Sequence, residues 1–203
     1  MATVIGFLIS FSLLMVAVTV HEFAHGWVAY MRGDRTAQSA GRLTLNPLAH
    51  IDPMMTVVFP LLLYISTQGR FVFGAAKPVP VDFSALRNPR RDMMLVGASG
   101  PAANFLFAAA LSFLLKVIPL NELGFFVFQR LIVINVVLGA FNLIPIPPLD
   151  GSRVVMGLLP KRLAVRYAAL DRFGFIIIIA LLWLNVLDIF LWPVVAQILK
   201  ILL

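Results

Sequence analysis

Of the 203 residues, 61% are hydrophobic and only 12% are charged, with a formal net charge of +7. A soluble chain of this length cannot bury so much apolar surface and ordinarily carries about 25% charged residues, so the composition calls for a bilayer as solvent. Most Lys and Arg fall in loops between apolar runs rather than in one basic tract, which fits membrane topology and argues against nucleic acid as a partner. With zero cysteines, disulfides, thiolate metal ligation and a cysteine nucleophile are all excluded.

The chain opens on MATVIGFLISFSLLMVAVTV, without a charged side chain until Glu22, and stays apolar as far as Met31. About 20 apolar residues cross a hydrocarbon core of about 30 Å, so residues 3–31 predict a membrane-spanning helix ending at Arg32-Gly33-Asp34. A cleaved signal peptide would need a basic start and a small-residue cleavage site, and the run has neither. Inside this helix His21, Glu22 and His25 spell H-E-x-x-H. Two histidines four residues apart share one helical face, with Cβ atoms about 5–6 Å apart, so both imidazoles can reach one metal ion. Glu22 then lies beside the ion, where a carboxylate can take a proton from a water that the ion has made acidic. A match to so short a motif is weak evidence in a soluble helix. At membrane depth it is stronger, because ionisable groups there are costly unless they bind something.

The loop over 32–53 is polar and carries Arg35, Arg42, His50 and Asp52. Residues 54–67 are apolar but short and contain Pro60, which predicts a re-entrant or interfacial segment rather than a span. In the basic stretch 70–92, Val79 and Val81 alternate with Pro78 and Pro80. If Phe71 to Val81 is extended, one edge loses its N–H groups and the other keeps them, giving either a strand edge able to pair with substrate or a rigid connector. Residues 93–117 predict the next span. Its small residues Gly97, Ala98, Gly100, Ala102 and Ala103 would admit another helix closely, and Asn104 follows them. A further span is predicted over 124–144, ended by Pro145, Pro147 and Pro148. Carbonyls left unpaired by those prolines are tolerated at membrane depth only around a protein-lined or wet cavity. After a third basic stretch, 153–172, two weaker apolar segments follow over 173–187 and 189–203, split by Asp188 and Pro193.

The expected architecture is therefore an all-α polytopic helix bundle. It has about five spans, a re-entrant or short hydrophobic segment, and a small membrane-associated β-hairpin-like loop. No repeat or linker divides the chain, so 1–203 reads as one membrane domain, with a core over 3–155 and peripheral C-terminal helices over 156–203. If the first helix runs from outside to cytoplasm, the basic loops 32–53, 68–92 and 153–172 all face the cytoplasm and the basic-free loop 118–123 faces out. His25 then lies seven residues from Arg32, about 10 Å at 1.5 Å per residue, and Asp150 lies just before Arg153 at the same end.

A catalytic zinc takes three protein ligands and keeps one position open, and two histidines with a carboxylate is a known set. Asp52, Asp150 and His50 are the candidates for the third place. Asp150 is delivered by the end of a predicted span, whereas Asp52 and His50 sit in a loop with no apolar element to pin them.

Taken together, His21-Glu22-Phe23-Ala24-His25, Gly100-Pro101-Ala102-Ala103-Asn104, Asn142-Leu143-Ile144-Pro145 and Leu149-Asp150-Gly151 resemble the site-2 protease family of intramembrane zinc metalloproteases. The resemblance covers roughly residues 10–155, and the FGAAKPVPV and NPLAHIDP stretches look like its small prokaryotic branch. It implies one Zn2+ per chain held by His21, His25 and Asp150, with Glu22 as general base. It further implies Asn142 near the substrate carbonyl or its oxyanion, and Asn104 either supporting that oxyanion or serving as an interhelical hydrogen-bond partner. The expected activity is hydrolysis of peptide bonds within or near transmembrane segments of other membrane proteins, in a prokaryotic inner membrane with the active site toward the cytoplasm. A metal-ion transporter or channel is the alternative. It is weakened because Phe7 to Val18 is almost wholly apolar, whereas an ion path needs polar groups through its whole depth.

Overall fold

A computed structural model of the chain describes residues 2–66 and 76–203, and among these every regular element is helical. The first helix, α1 (Ala2–Met31), follows from the long apolar run. Its end is a left-handed cap: Gly33 has φ +111°, the Gly33 N–H donates to Tyr30 and the Asp34 N–H reaches back to Ala29. That pairing satisfies carbonyls the last turn would leave bare, and a glycine at the left-handed position makes it cheap.

A short helix α2 (Thr36–Ser39) and a 3₁₀ turn (Pro47–His50) lead to a π-helical turn (Pro53–Val58), which runs on into α3 (Phe59–Ser66). Of the apolar run predicted over 54–67, the described part, 54–66, is thus helical but too short to cross a bilayer alone. Two long helices follow, α4 (Pro89–Val117) and α5 (Glu122–Asn142). Pro89 occupies the first turn of α4, where no N–H is needed, and the Asn121 side chain caps α5 by accepting the Gly124 N–H at 2.8 Å. Helix α4 packs on both α1 and α5, which also meet each other. Their shared core gathers Ala108, Leu111, Leu131, Ile132, Val136 and Ala140. Outward lie large apolar side chains such as Leu106, Phe113 and Leu123, each more than half exposed, as expected where the solvent is lipid.

Beyond α5 come α6 (Asp150–Leu158), α7 (Lys161–Ala168), α8 (Asp171–Trp183) and α9 (Val186–Leu202). Of these, α6 lies on α4, and α9 lies on α5 with Val195 fully buried in the core. The expected count of about five spans is not reached. Among the described residues three helices are long and apolar enough to cross, at Leu8–Met31, Pro89–Val117 and Glu122–Asn142, and α8 and α9 form one pair bent by 79° that adds at most a fourth. The bend lies at Leu184 and Asn185, the latter with a left-handed φ of 56°, while Asp188 and Pro193, expected to break the segment, sit inside α9. Asparagine tolerates that conformation better than most residues.

The β-hairpin-like loop is also corrected. Phe71 to Ala75 lie outside the described residues, and Ala76 to Asp82 form no regular element and join no sheet. Pro78 and Pro80 remove alternate donors. Those at Lys77, Val79 and Asp82 go to the His50 carbonyl (3.0 Å), Glu22 Oε2 (2.7 Å) and Asp34 Oδ2 (2.8 Å) respectively. The Arg42 guanidinium grips the Lys77 carbonyl at 2.6 Å. With the Lys77, Val79 and Asp82 donors engaged by three separate partners, the described part of the segment forms a strap across α1. At its far end the Ser84 hydroxyl and amide donate to Asp82, holding that carboxyl below the ordinary carboxylate value.

Candidate metal centre

His21 and His25 project from α1 toward α4 and α6, both buried. Asp150, the first residue of α6, meets them. His21 Nε2 and His25 Nε2 are 3.0 Å apart, and Asp150 Oδ2 lies 3.0 Å from the former and 3.1 Å from the latter. Among the described residues these three form the group of histidine and carboxylate atoms close enough to hold a metal ion. The prolines explain how Asp150 arrives: they end α5 at Asn142, and the chain turns through Ile144 to Leu149 before α6 restarts at Asp150. Glycines allow the fit. A Cβ on Gly97 would stand 2.7 Å from Arg153 Cβ and 3.0 Å from the Asp150 carbonyl, and one on Gly100 would stand 2.6 and 2.7 Å from His21 Cε1 and Nε2. Bare backbone at these two points lets α4 lie directly against both α6 and the imidazoles.

The outer nitrogens are committed elsewhere. His21 Nδ1 lies 2.6 Å from Asn104 Oδ1, and His25 Nδ1 lies 2.7 Å from the Val96 carbonyl. Both partners are oxygens that accept, so both Nδ1 atoms carry the proton and both neutral Nε2 atoms present lone pairs. With both rings neutral, three acceptor atoms converge within about 3 Å, an arrangement that a cation at the centre would relieve. Two imidazoles and a carboxylate fit zinc in both donor type and number, and a tethered outer nitrogen is the usual companion of a ligating histidine.

The other predicted residues divide. Glu22 lies next to the group, its Oε2 accepting the Val79 N–H, so the donor expected to face substrate is bonded to the expected base. Asn142 donates to the Leu138 carbonyl at 3.0 Å. Together with His21, Glu22, His25 and Asp150 it lines a cleft of about 770 Å³. Apolar side chains including Phe11, Leu14, Leu138 and Phe141 form the rest of its walls. Asn104 is absent from that lining and fully buried, with its amide spent on His21, the Ala17 carbonyl and Asn135. That sets it behind His21, as an interhelical hydrogen-bond partner.

His50 and Asp52 stand apart from the group. The His50 ring, fully buried, lies 3.0 Å from the Thr44 carbonyl, and Asp52 Oδ1 accepts the N–H groups of Met54 and Met55 as a helix cap. Asn135 escaped the sequence reading although a signal was present: an amide in the apolar run VINVVLGAF, two helical turns before Asn142.

The comparisons follow the same lines. The model for peptidase family M50 matches residues 120–184, a stretch that includes Asp150 but not the two histidines. The Bacillus subtilis protein named "Putative zinc metalloprotease YwhC" is 37% identical over 189 residues, covering 89% of this chain and 82% of its own length. "Putative zinc metalloprotease Rip2" of Mycolicibacterium smegmatis is 29% identical over 170 residues, 83% of this chain and 64% of its own. "Zinc metalloprotease MJ0392" of Methanocaldococcus jannaschii is 24% identical over 152 residues, covering 75% of this chain and 34% of its own length. No solved structure matches. With a relative that similar over most of both chains, and with the family's motif residues converging on one site, the chain belongs to peptidase family M50, the site-2 protease family of metalloproteases.

Proposed function

We propose that the chain is a zinc endopeptidase that hydrolyses peptide bonds within or near transmembrane segments of other membrane proteins, working as a single membrane domain over 1–203. The observation that carries this reading is the convergence of His21 Nε2, His25 Nε2 and Asp150 Oδ2 at 3.0–3.1 Å, on and beside a helix long enough to span. Zinc held there supplies a Lewis acid and makes water a usable nucleophile near neutral pH. Glu22 accepts the proton of the attacking water and returns it to the leaving amide nitrogen, the two proton transfers that peptide hydrolysis requires. With Oε2 engaged by Val79, the proton goes to Oε1. Asn142, on the cleft wall, donates to the substrate carbonyl as negative charge builds on its oxygen.

The apolar cleft walls suit a stretch taken from a bilayer. Such a stretch must first unwind, since a helix shields its own peptide bonds. Nothing favours the transporter alternative, because the buried titratable side chains of α1 gather at the one site rather than along its length. Purified in detergent and loaded with zinc, the full chain should cleave single-span membrane substrates at bonds inside or bordering the span. Zinc-loaded protein that cleaves none of a panel of such substrates would sink the reading.

The active site faces the cytoplasm of a prokaryotic inner membrane under the same proposal, since Arg90 in the first turn of α4, Arg153 on α6 and Arg162 and Arg166 on α7 stand on elements that pack in sequence beside Asp150. The expected result of cysteine scanning is that an impermeant thiol reagent applied to intact cells labels Gly124→Cys, at the start of α5, and spares Ala164→Cys, on α7. The opposite pattern would invert the topology.

A further inference from the structure

We propose that Asn135 is a positioning residue for the zinc ligand His21, acting through Asn104 to fix which nitrogen of the ring faces the metal. The inference rests on the metal site proposed above and adds a second layer behind it. Asn135 lies on α5 and is fully buried among apolar neighbours, Leu131, Ile132 and Val136. An amide there is expensive unless its polar atoms are engaged, and they are. Asn135 Nδ2 donates to the Leu131 carbonyl at 2.8 Å, one turn back on its own helix. Its Oδ1 accepts from Asn104 Nδ2 at 2.8 Å. The second Asn104 N–H goes to the Ala17 carbonyl on α1 at 3.1 Å.

Each link dictates the next. Leu131 O can only accept, so the nitrogen of Asn135 must face it and the oxygen must face Asn104. Asn104 therefore turns its nitrogen toward Asn135 and Ala17 O, both acceptors, which leaves Oδ1 as the atom beside His21. An oxygen at 2.6 Å admits only a protonated Nδ1, and so Nε2 is the atom with a lone pair for the metal. A flipped Asn104 would present N–H to the ring, favour the other tautomer and withdraw the ligand. The relay joins α5, α4 and α1 at one buried point, so the register of three spans is tied to the orientation of one imidazole. His25 needs no such relay, because its Nδ1 partner is the Val96 carbonyl, which cannot flip.

The test measures zinc affinity of the full chain in detergent by competition with a chromophoric chelator, together with the visible spectrum of the cobalt-substituted protein, for Asn135→Leu, Asn104→Leu and the double variant. Loss of a partner behind a ligating histidine typically weakens metal binding about 10–100-fold, and Asn135→Leu is expected in that range with an altered cobalt spectrum. If Asn135 acts through Asn104, the double variant matches Asn104→Leu alone. Parental affinity in Asn135→Leu, or additive losses in the double variant, would overturn the relay. Asn135→Ser, which keeps an oxygen, gives the same comparison if the leucine variants do not fold. The metal site itself fails separately: a parent chain that binds no zinc, or a His21→Ala variant that binds it as the parent does, would remove the ligand rather than the relay.

Discussion

Glu22→Gln is expected to bind close to one equivalent of zinc and to cleave essentially nothing. Gln keeps the length of the side chain and an oxygen that can accept the Val79 N–H, so the strap and helix α1 stay as they are. What it loses is the ability to take a proton, and a general base commonly supplies about 10²–10⁴-fold while also orienting the water. Asp150→Asn should fail differently. Replacing the anion among three converging acceptors with a neutral amide weakens the divalent site itself, so metal content and activity fall together. Asp52→Asn is the control, because its one engaged oxygen caps the Pro53–Val58 turn and asparagine caps about as well as aspartate. Metal stoichiometry and substrate cleavage measured side by side on the three variants decide the matter. Cleavage at the parental rate by Glu22→Gln, or a metal requirement for Asp52 rather than Asp150, would overturn these roles.

How much of this was legible beforehand follows from how local each determinant is. Helix α1 and its H-E-x-x-H face could be read directly, because span length and the four-residue repeat are properties of one contiguous stretch. The third place in the site was harder. Asp52, His50 and Asp150 are equivalent by residue type, and only the prolines after Asn142 hinted that Asp150 enters a cavity. The strap misled because alternation of proline and valine says which N–H groups survive but not where they go, and Val79 spends its own on a carboxylate 57 positions earlier. At the C-terminal end the strongest formal breakers, Asp188 and Pro193, sit inside a helix, while the turn falls on Asn185. Asn135 was hidden for a related reason: a lone amide in an apolar run acquires meaning only when its partner on another helix is known.

Gly100→Ala is expected to abolish zinc binding while leaving the helices in place. In the interior of α4 an alanine should favour the helix by about 1 kcal/mol over glycine, so by propensity alone the change would stabilise. Here the added methyl would stand 2.6 Å from His21 Cε1 and 2.7 Å from its Nε2, with His25 Nε2 nearer still. These are the atoms offered to the metal, and contacts that short cannot be absorbed. Helix α4 cannot simply retreat, because Asn104 and the Val96 carbonyl on the same helix hold the outer nitrogens of both rings at 2.6 and 2.7 Å. Relief therefore comes from rotating the imidazoles, which parts the Nε2 lone pairs from Asp150. Gly6→Ala, on the same kind of helix but with nothing within 4 Å of the new methyl, should bind zinc as the parent does. Metal content and thermal unfolding of the metal-free protein should then separate, with Gly100→Ala losing the first and keeping most of the second. A Gly100→Ala protein that retained parental zinc affinity would show that α4 does not press on the two histidines as described.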